Sequence, residues 1–141
     1  MNAGVLQDVP VVVGVGGGIA AYKAVELVRT LQREGARVRV AMTSSAREFV
    51  GPLTFEALTR HAVMTDVLAL APGTSTIEHV EWGHWARLLV IAPATANTLA
   101  RLAAGLADDA VAALALCVRG PLVLCPAMEP GMWEHAATRR N

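Results

Sequence analysis

Aromatic side chains are scarce in this sequence, at 4% of 141 residues, while hydrophobic residues reach 54%. A core made from such a chain must be built of Ala, Val and Leu, which suits helices packed closely on a sheet. Net charge is missing too. Twelve Lys and Arg balance twelve Asp and Glu, which excludes the basic footprint of a nucleic-acid-binding domain. The longest apolar run, Ala110 to Val118, falls well short of the ~20 residues that span a bilayer. "MNAGVLQD" lacks the basic start of a secretory signal. Only two cysteines occur, Cys117 and Cys125. Their apolar surroundings and lack of metal-ligand spacing predict buried free thiols. With no internal repeat, no low-complexity segment and no linker, the expectation is one soluble cytoplasmic domain.

What is present is an alternation of short apolar runs with helical patterns. "VPVVVGV" is a continuous β-branched run, as in a strand covered on both faces. Ile19, Ala24, Val28 and Leu31 recur at helical spacing, and Gly35 offers a C-terminal stop. "RVRVAM" alternates as a second strand, "SSAREFV" and "PLTFEALTR" read as helical pieces, and "AVMTDV" as a short strand. "LAPGTST" is a loop, "RLLVIAP" a buried strand, and "TANTLARLAAG" a helix. Asp108 and Asp109 open a further helix, and "PLVLCPAM" gives a last strand. Strands alternating with helices predict an α/β fold, a Rossmann-like (flavodoxin-like) parallel sheet with helices on both faces. Ligands in such sheets collect beyond the carboxyl ends of the strands.

Gly14, Gly16, Gly17 and Gly18 fall at the first of these strand ends. A dinucleotide fingerprint needs a third glycine where Ile19 stands, and an acid at the end of the second strand. That strand ends instead in Ala41-Met42-Thr43-Ser44, and no Walker G-K-[ST] follows the glycines. A tight turn for helix–strand packing is one reading. The hydroxyls of Thr43, Ser44 and Ser45 favour the other, a mononucleotide phosphate held by hydroxyls and backbone N–H groups.

Two further stretches carry polar groups. "IAPATANTLARLAAGLADD" places Thr95, Asn97 and Thr98 at a strand end, where they can read the edge of a planar heterocycle. An ordinary helix N-cap by Thr95 or Asn97 remains open. In "IEHVEWGHWA", His79 and His84 stand five apart, which does not make the H-E-x-x-H zinc pattern. Each is either a surface histidine or a proton-transfer group.

Together "GVGGGIAAYKAVELVRTL", "MTSSAREFV", "EHVEWGHWARLLVIAPATANTLARLAAGLADD" and "PAMEPGMW" resemble the flavin-dependent cysteine decarboxylases, in order from Val11 to Asn141. The resemblance implies FMN, and assembly as a homotrimer that can group into a dodecamer, with the flavin near a subunit interface. It implies decarboxylation of 4′-phosphopantothenoylcysteine to 4′-phosphopantetheine in coenzyme A biosynthesis. The other members of the fold, a peptide cysteine decarboxylase, a flavin prenyltransferase or a non-catalytic flavin-binding subunit, are the alternatives. Matched motif to motif, Gly16, Gly17, Gly18, Ile19, Thr43 and Ser44 meet phosphate and ribitol. Ala94, Thr95, Ala96, Asn97, Thr98 and Met128 line the flavin ring. His79 matches the catalytic histidine, while His84 falls where relatives vary. Glu129 and Met132 meet substrate, although Glu129 stands where the family pattern P-x-M-N-x-x-M-W has asparagine. The family also carries a substrate-covering flap with a catalytic cysteine, which neither Cys117 nor Cys125 is placed to be. The expectation is therefore a single FMN-binding domain over residues 1–141, cut short before the flap.

Overall fold

The computed structural model describes residues 4–141. Strands β1 (Pro10–Val15), β2 (Arg37–Met42), β3 (Leu88–Ala94) and β4 (Leu122–Pro126) form one parallel sheet in the order β2-β1-β3-β4. The predicted valine run is buried on both faces, and the two faces feed separate cores. Val11, Val13 and Val15 point toward helices α1 (Ala21–Arg33) and α2 (Pro52–Thr59), packing with Ala24, Val28 and Phe55. Val12 points the other way, toward α3 (Glu78–Trp85) and α5 (Ala110–Cys117), packing with Trp82, Val111 and Leu114. The result is the three-layer α/β arrangement that the alternation of elements implies.

The chain leaves β1 for β2 on one side and returns to β3 on the other. The connections diverge between β1 and β3, which makes that gap the switch point where open α/β sheets bind ligands. Helix α4 (Ala96–Ala104) starts directly from β3 and stops at Gly105, whose φ of +69° suits glycine. Asp109 caps α5 by accepting from the Ala112 N–H at 2.8 Å. The short helices α6 (Pro130–Glu134) and α7 (Ala136–Arg140) follow β4.

Strand β2 shows how one alternating sequence serves two unlike environments. Val38, Val40 and Met42 enter the first core, while Arg39 faces α3. Its guanidinium stacks on Trp85 at 4.2 Å and Trp82 at 5.2 Å from the ring centroids. Nη1 also donates to Glu81 Oε1 at 3.3 Å. This clamp helps to seat helix α3, Glu78–Trp85, which has too little apolar periodicity to be read from sequence.

Three expectations need correction. "AVMTDV" is not a strand: Met64 makes a single bridge to Ala41. The Asp66 carboxylate then accepts from the Leu68 N–H at 2.8 Å and turns the chain away. Cys125 is exposed and Cys117 only half-buried, so neither is a fully buried thiol. The cause lies in the architecture, because β4 is an edge strand covered on neither face, with Leu122 and Val123 each over 40% exposed. At Cys117, partial burial pushes the thiol pKa up. Among the described residues, no helix is long and apolar enough to cross a membrane.

Two stability predictions follow from α3. A Cβ on Gly83 would overlap the Cys117 Cβ and lie 2.9 Å from the Cys117 carbonyl carbon. Replacing glycine by alanine inside a helix ordinarily gains about 1 kcal/mol. Here Gly83→Ala is expected to lower the urea midpoint, because the colliding atoms belong to backbone and Cβ and trimming Cys117 cannot relieve them. The second concerns Glu78, which is buried at 8% exposure. Burial pushes its carboxyl pKa up, Glu81 adds to the rise, and Arg39 opposes it. Between the ordinary and raised values the folded state holds more proton than the unfolded one, so this contribution to stability falls as pH rises. Glu78→Gln should therefore raise the melting temperature relative to the parent at neutral pH. The gap should close on acidification, as thermal melts across pH will show.

Candidate functional site

The carboxyl ends of the strands all lie on one edge of the sheet, and their loops build a cavity of about 590 Å³ there. Gly17, Gly18, Ile19 and Ala20 of the β1–α1 turn form one wall. Pro93, Thr95 and Ala96 of the β3–α4 turn form the floor, and Ala127, Met128, Glu129 and Met132 close the far side. The cavity lies at the switch point between β1 and β3.

Glycine is needed in this wall because of close approach. The Gly16 N–H donates to the Pro93 carbonyl at 3.0 Å, and a Cβ on Gly16 would collide with that same oxygen. A Cβ on Gly17 would overlap the Ser45 hydroxyl. With side chains absent, the turn exposes its backbone. The N–H groups of Gly17, Ile19 and Ala20 have no acceptor among the described residues, and they surround the start of α1. Such an array can hold an anion through its peptide dipoles.

The hydroxyls read from the sequence are mostly engaged within the protein. Thr43 is buried; its Oγ1 accepts from the Ala46 N–H at 3.1 Å and pairs with Ser45 Oγ at 3.2 Å. Thr95 Oγ1 accepts from the Thr98 N–H at 3.2 Å and pairs with the Thr98 hydroxyl at 3.1 Å, capping α4. Thr98 itself is buried, as are Ala94 and Gly16. Gly16, Thr43, Ala94 and Thr98 stand behind the cavity rather than in its lining. Of the residues expected to touch cofactor, Gly17, Gly18, Ile19, Thr95, Ala96 and Met128 do line it. Asn97 is exposed on the first turn of α4. Ser44 is exposed and lines a neighbouring cavity with Asp66, Val67 and Asp109. Ala20, Pro93 and Ala127 line the cavity too; each lies inside a quoted motif, one residue from a candidate already named, so reading whole turns finds them.

Glu129 and Met132 both line the cavity, as expected of substrate-binding residues. Glu129 also caps α6, its Oε2 accepting from the Met132 N–H at 3.2 Å. It is the only ionisable side chain in the lining, and no cation accompanies it.

His79 does not reach this cavity. It is half-buried on α3, and its Nδ1 lies 3.0 Å from the Val67 carbonyl. A carbonyl can only accept, so Nδ1 carries a proton, and in the neutral ring Nε2 is the nitrogen with the free lone pair. His84 is exposed at the far end of α3, beside Arg87 and Arg119.

Comparison with known proteins agrees with this geometry. The flavoprotein family profile matches residues 3–141. The bifunctional coenzyme A biosynthesis protein CoaBC of Mycobacterium tuberculosis is 53% identical over 131 residues, covering 93% of this chain. The chain spans only 31% of that relative's length. Among solved structures, the FMN-dependent cysteine decarboxylase SpaF superposes with a TM-score of 0.88 at 38% identity, covering 96% of this chain and 78% of its own. A PPC decarboxylase variant complexed with pantothenoylaminoethenethiol gives 0.82 at 31% identity, covering 95% and 75%. The likeness to cysteine decarboxylases that the quoted motifs carry is therefore met across nearly the whole chain, and the chain belongs to the flavoprotein family.

Proposed function

We propose that residues 1–141 act as one FMN-binding domain of a cytoplasmic enzyme of coenzyme A biosynthesis. Its reaction is decarboxylation of 4′-phosphopantothenoylcysteine to 4′-phosphopantetheine. The observation that carries this reading is the switch-point cavity, whose glycine wall presents three unpartnered N–H groups beside an apolar floor. Its volume suits a mononucleotide-sized ligand. The N–H groups and the Ser45 hydroxyl beside Gly17 match a phosphate, with Ser44 next to them in the chain, and Ala96, Met128 and Pro93 match the face of a flat ring. Thr95 and Asn97 border that ring, while Gly16, Thr43, Ala94 and Thr98 hold the turns in place.

A carboxylate next to an unactivated carbon does not leave as CO₂, because the electron pair left behind has no acceptor. Bound FMN supplies a two-electron oxidation of the cysteine end before CO₂ departs and the matching reduction afterwards, so no outside oxidant is consumed. The protein orients the thiol and carboxylate and moves a proton. Nε2 of His79 is the group for that proton, fixed in its tautomer by Val67.

Because His79 lies away from the cavity of its own chain, we assign it to the cavity of a neighbouring subunit. The assembly is a homotrimer, which can group further into a dodecamer. Ile19, at 79% exposure on the cavity rim, and the exposed Met132 and Trp133 supply apolar surface for such a contact.

Two measurements test the reading. The full-length protein refolded with FMN should show a perturbed flavin spectrum and release CO₂ from 4′-phosphopantothenoylcysteine, and NAD should not displace the flavin. Flavin binding without CO₂ release would leave a binder rather than an enzyme. For subunit sharing, His79→Asn should keep flavin yet lose turnover, and Gly18→Trp should fill the cavity and lose flavin. Refolding the two variants together should restore part of the activity. No recovery, with mixed oligomers present, would place His79 in its own subunit's site.

A further inference from the structure

The cavity lining is unusual in its distribution of charge. Of its side chains only those of Thr95 and Glu129 carry oxygen or nitrogen. The Thr95 hydroxyl is already engaged with Thr98 on two sides. In Glu129 one oxygen, Oε2, is held by the Met132 N–H, which leaves Oε1 as the one uncommitted side-chain polar atom of the lining. The carboxylate leans over Gly131, where a Cβ would come within 2.9 Å of Oε2. The absence of a side chain there leaves room for this pose, and the capping bond occupies Oε2 and leaves Oε1 without a partner.

The charged groups near Glu129 do not neutralise it. The elements that contribute to the cavity from β1, α1, β3 and α4 bring no ionisable side chain to the lining. On α6 and α7 the ionisable residues are Glu134, His135, Arg139 and Arg140. Arg139 stacks on Trp133 at 5.4 Å, and the His135 ring accepts from the Ala137 N–H at 3.1 Å. On α4, Arg101 pairs with Asp108 and Asp109. Among the described residues no ion pair reaches Glu129.

We propose that Glu129 makes carboxylate binding in this cavity proton-linked: an anionic ligand end enters only with one proton, shared between its carboxylate and Oε1 of Glu129. Glu129 is exposed in this structure; a ligand carboxylate seated against Oε1 would cover it, and two carboxylates that close with no cation between them repel, whereas a carboxyl–carboxylate pair forms a hydrogen bond. The proton comes from solvent and returns to it on release, so charge and atoms balance without another reactant. Glu129 thereby sets specificity: it admits the carboxylate-bearing ligand more readily in acid and is indifferent to one lacking that group. This rests on the proposed function, since it takes the cysteine end of that substrate as the ligand.

The test uses two inert ligands on the FMN-loaded oligomer. One is 4′-phosphopantothenoylserine, which has the carboxylate and no thiol. The other is the corresponding ethanolamine amide, which lacks the carboxylate. Dissociation constants are read from flavin absorbance over roughly pH 6 to 8, where a free glutamate is ordinarily ionised. Titration of the ligand phosphate is common to both and cancels in the ratio of the constants. That ratio, serine analogue over amide, should rise toward about tenfold per pH unit. In Glu129→Asn, which keeps a good helix cap, it should be flat; in Glu129→Asp, which keeps the charge, the slope should persist. A flat ratio in the parent protein, or an equal slope in Glu129→Asn, overturns the proposal. Either result leaves the functional reading standing as long as both ligands perturb the flavin. Failure of both ligands to bind would remove the functional reading and the proposal with it.

Discussion

The contact on which the rest depends is the one between the first and third strand ends. The Gly16 N–H reaches the Pro93 carbonyl, and no side chain fits between them. This bond joins the β1–α1 turn to the β3–α4 turn across the switch point. If the two turns stood apart by the width of a methyl group, the glycine wall would no longer face the floor made by Thr95 and Ala96. A second close approach, Gly17 against Ser45, ties the β2 loop to the same wall. The Thr43 N–H also donates to the Val15 carbonyl at 3.1 Å, so three of the four strand ends are joined by backbone hydrogen bonds and the cavity inherits their rigidity.

The sheet beneath is built so that these ends can be held. Val11, Val12, Val13 and Val15 are all fully buried and split between two cores. Strand β1 is therefore gripped from both faces, and its carboxyl end has little freedom. Strand β4 is the opposite case. Leu122, Val123 and Leu124 are exposed, and β4 holds to the rest mainly through its ladder with β3 and through the Ala127 N–H to the Ala94 carbonyl. The far side of the cavity, with Met128 and Glu129, is accordingly less supported than the glycine wall. That asymmetry suits a site with a fixed cofactor side and a more adaptable substrate side.

Much of this was legible in the sequence, and the failures have physical causes. Strand and helix alternation could be read because burial on two faces demands continuous apolar runs, as in "VPVVVGV" and "RLLVIAP". Helix α3 could not, because its seat is a cation–π stack between Arg39 and the two tryptophans, and such a contact leaves no periodic pattern. The thiols were misplaced for a related reason. Cys125 sits in an apolar run, but an apolar run is buried only if another layer covers it, and nothing local in sequence reports the covering layer. His79 was recognisable by motif, yet only the fold shows that its ring is turned toward Val67 and away from the cavity of its own chain.

The hydroxyl-bearing residues show how a correct location can hide a different role. Thr43, Thr95 and Thr98 stand at the strand ends where a phosphate or ring would be held, and a sequence reading naturally gives them to the ligand. Each is also engaged within the protein, in caps and turns that satisfy backbone N–H groups or a neighbouring hydroxyl. The consequence reaches the chemistry of the site. With threonine hydroxyls engaged, recognition of an anion falls to the peptide N–H groups of Gly17, Ile19 and Ala20, which carry no titratable charge and do not change with pH. The one group left that can change its charge is Glu129. A site whose fixed wall is indifferent to pH and whose opposite side carries a single carboxylate separates two tasks in space. In the proposed reading, permanent holding belongs to the glycine turn, and discrimination among ligand ends belongs to the α6 cap.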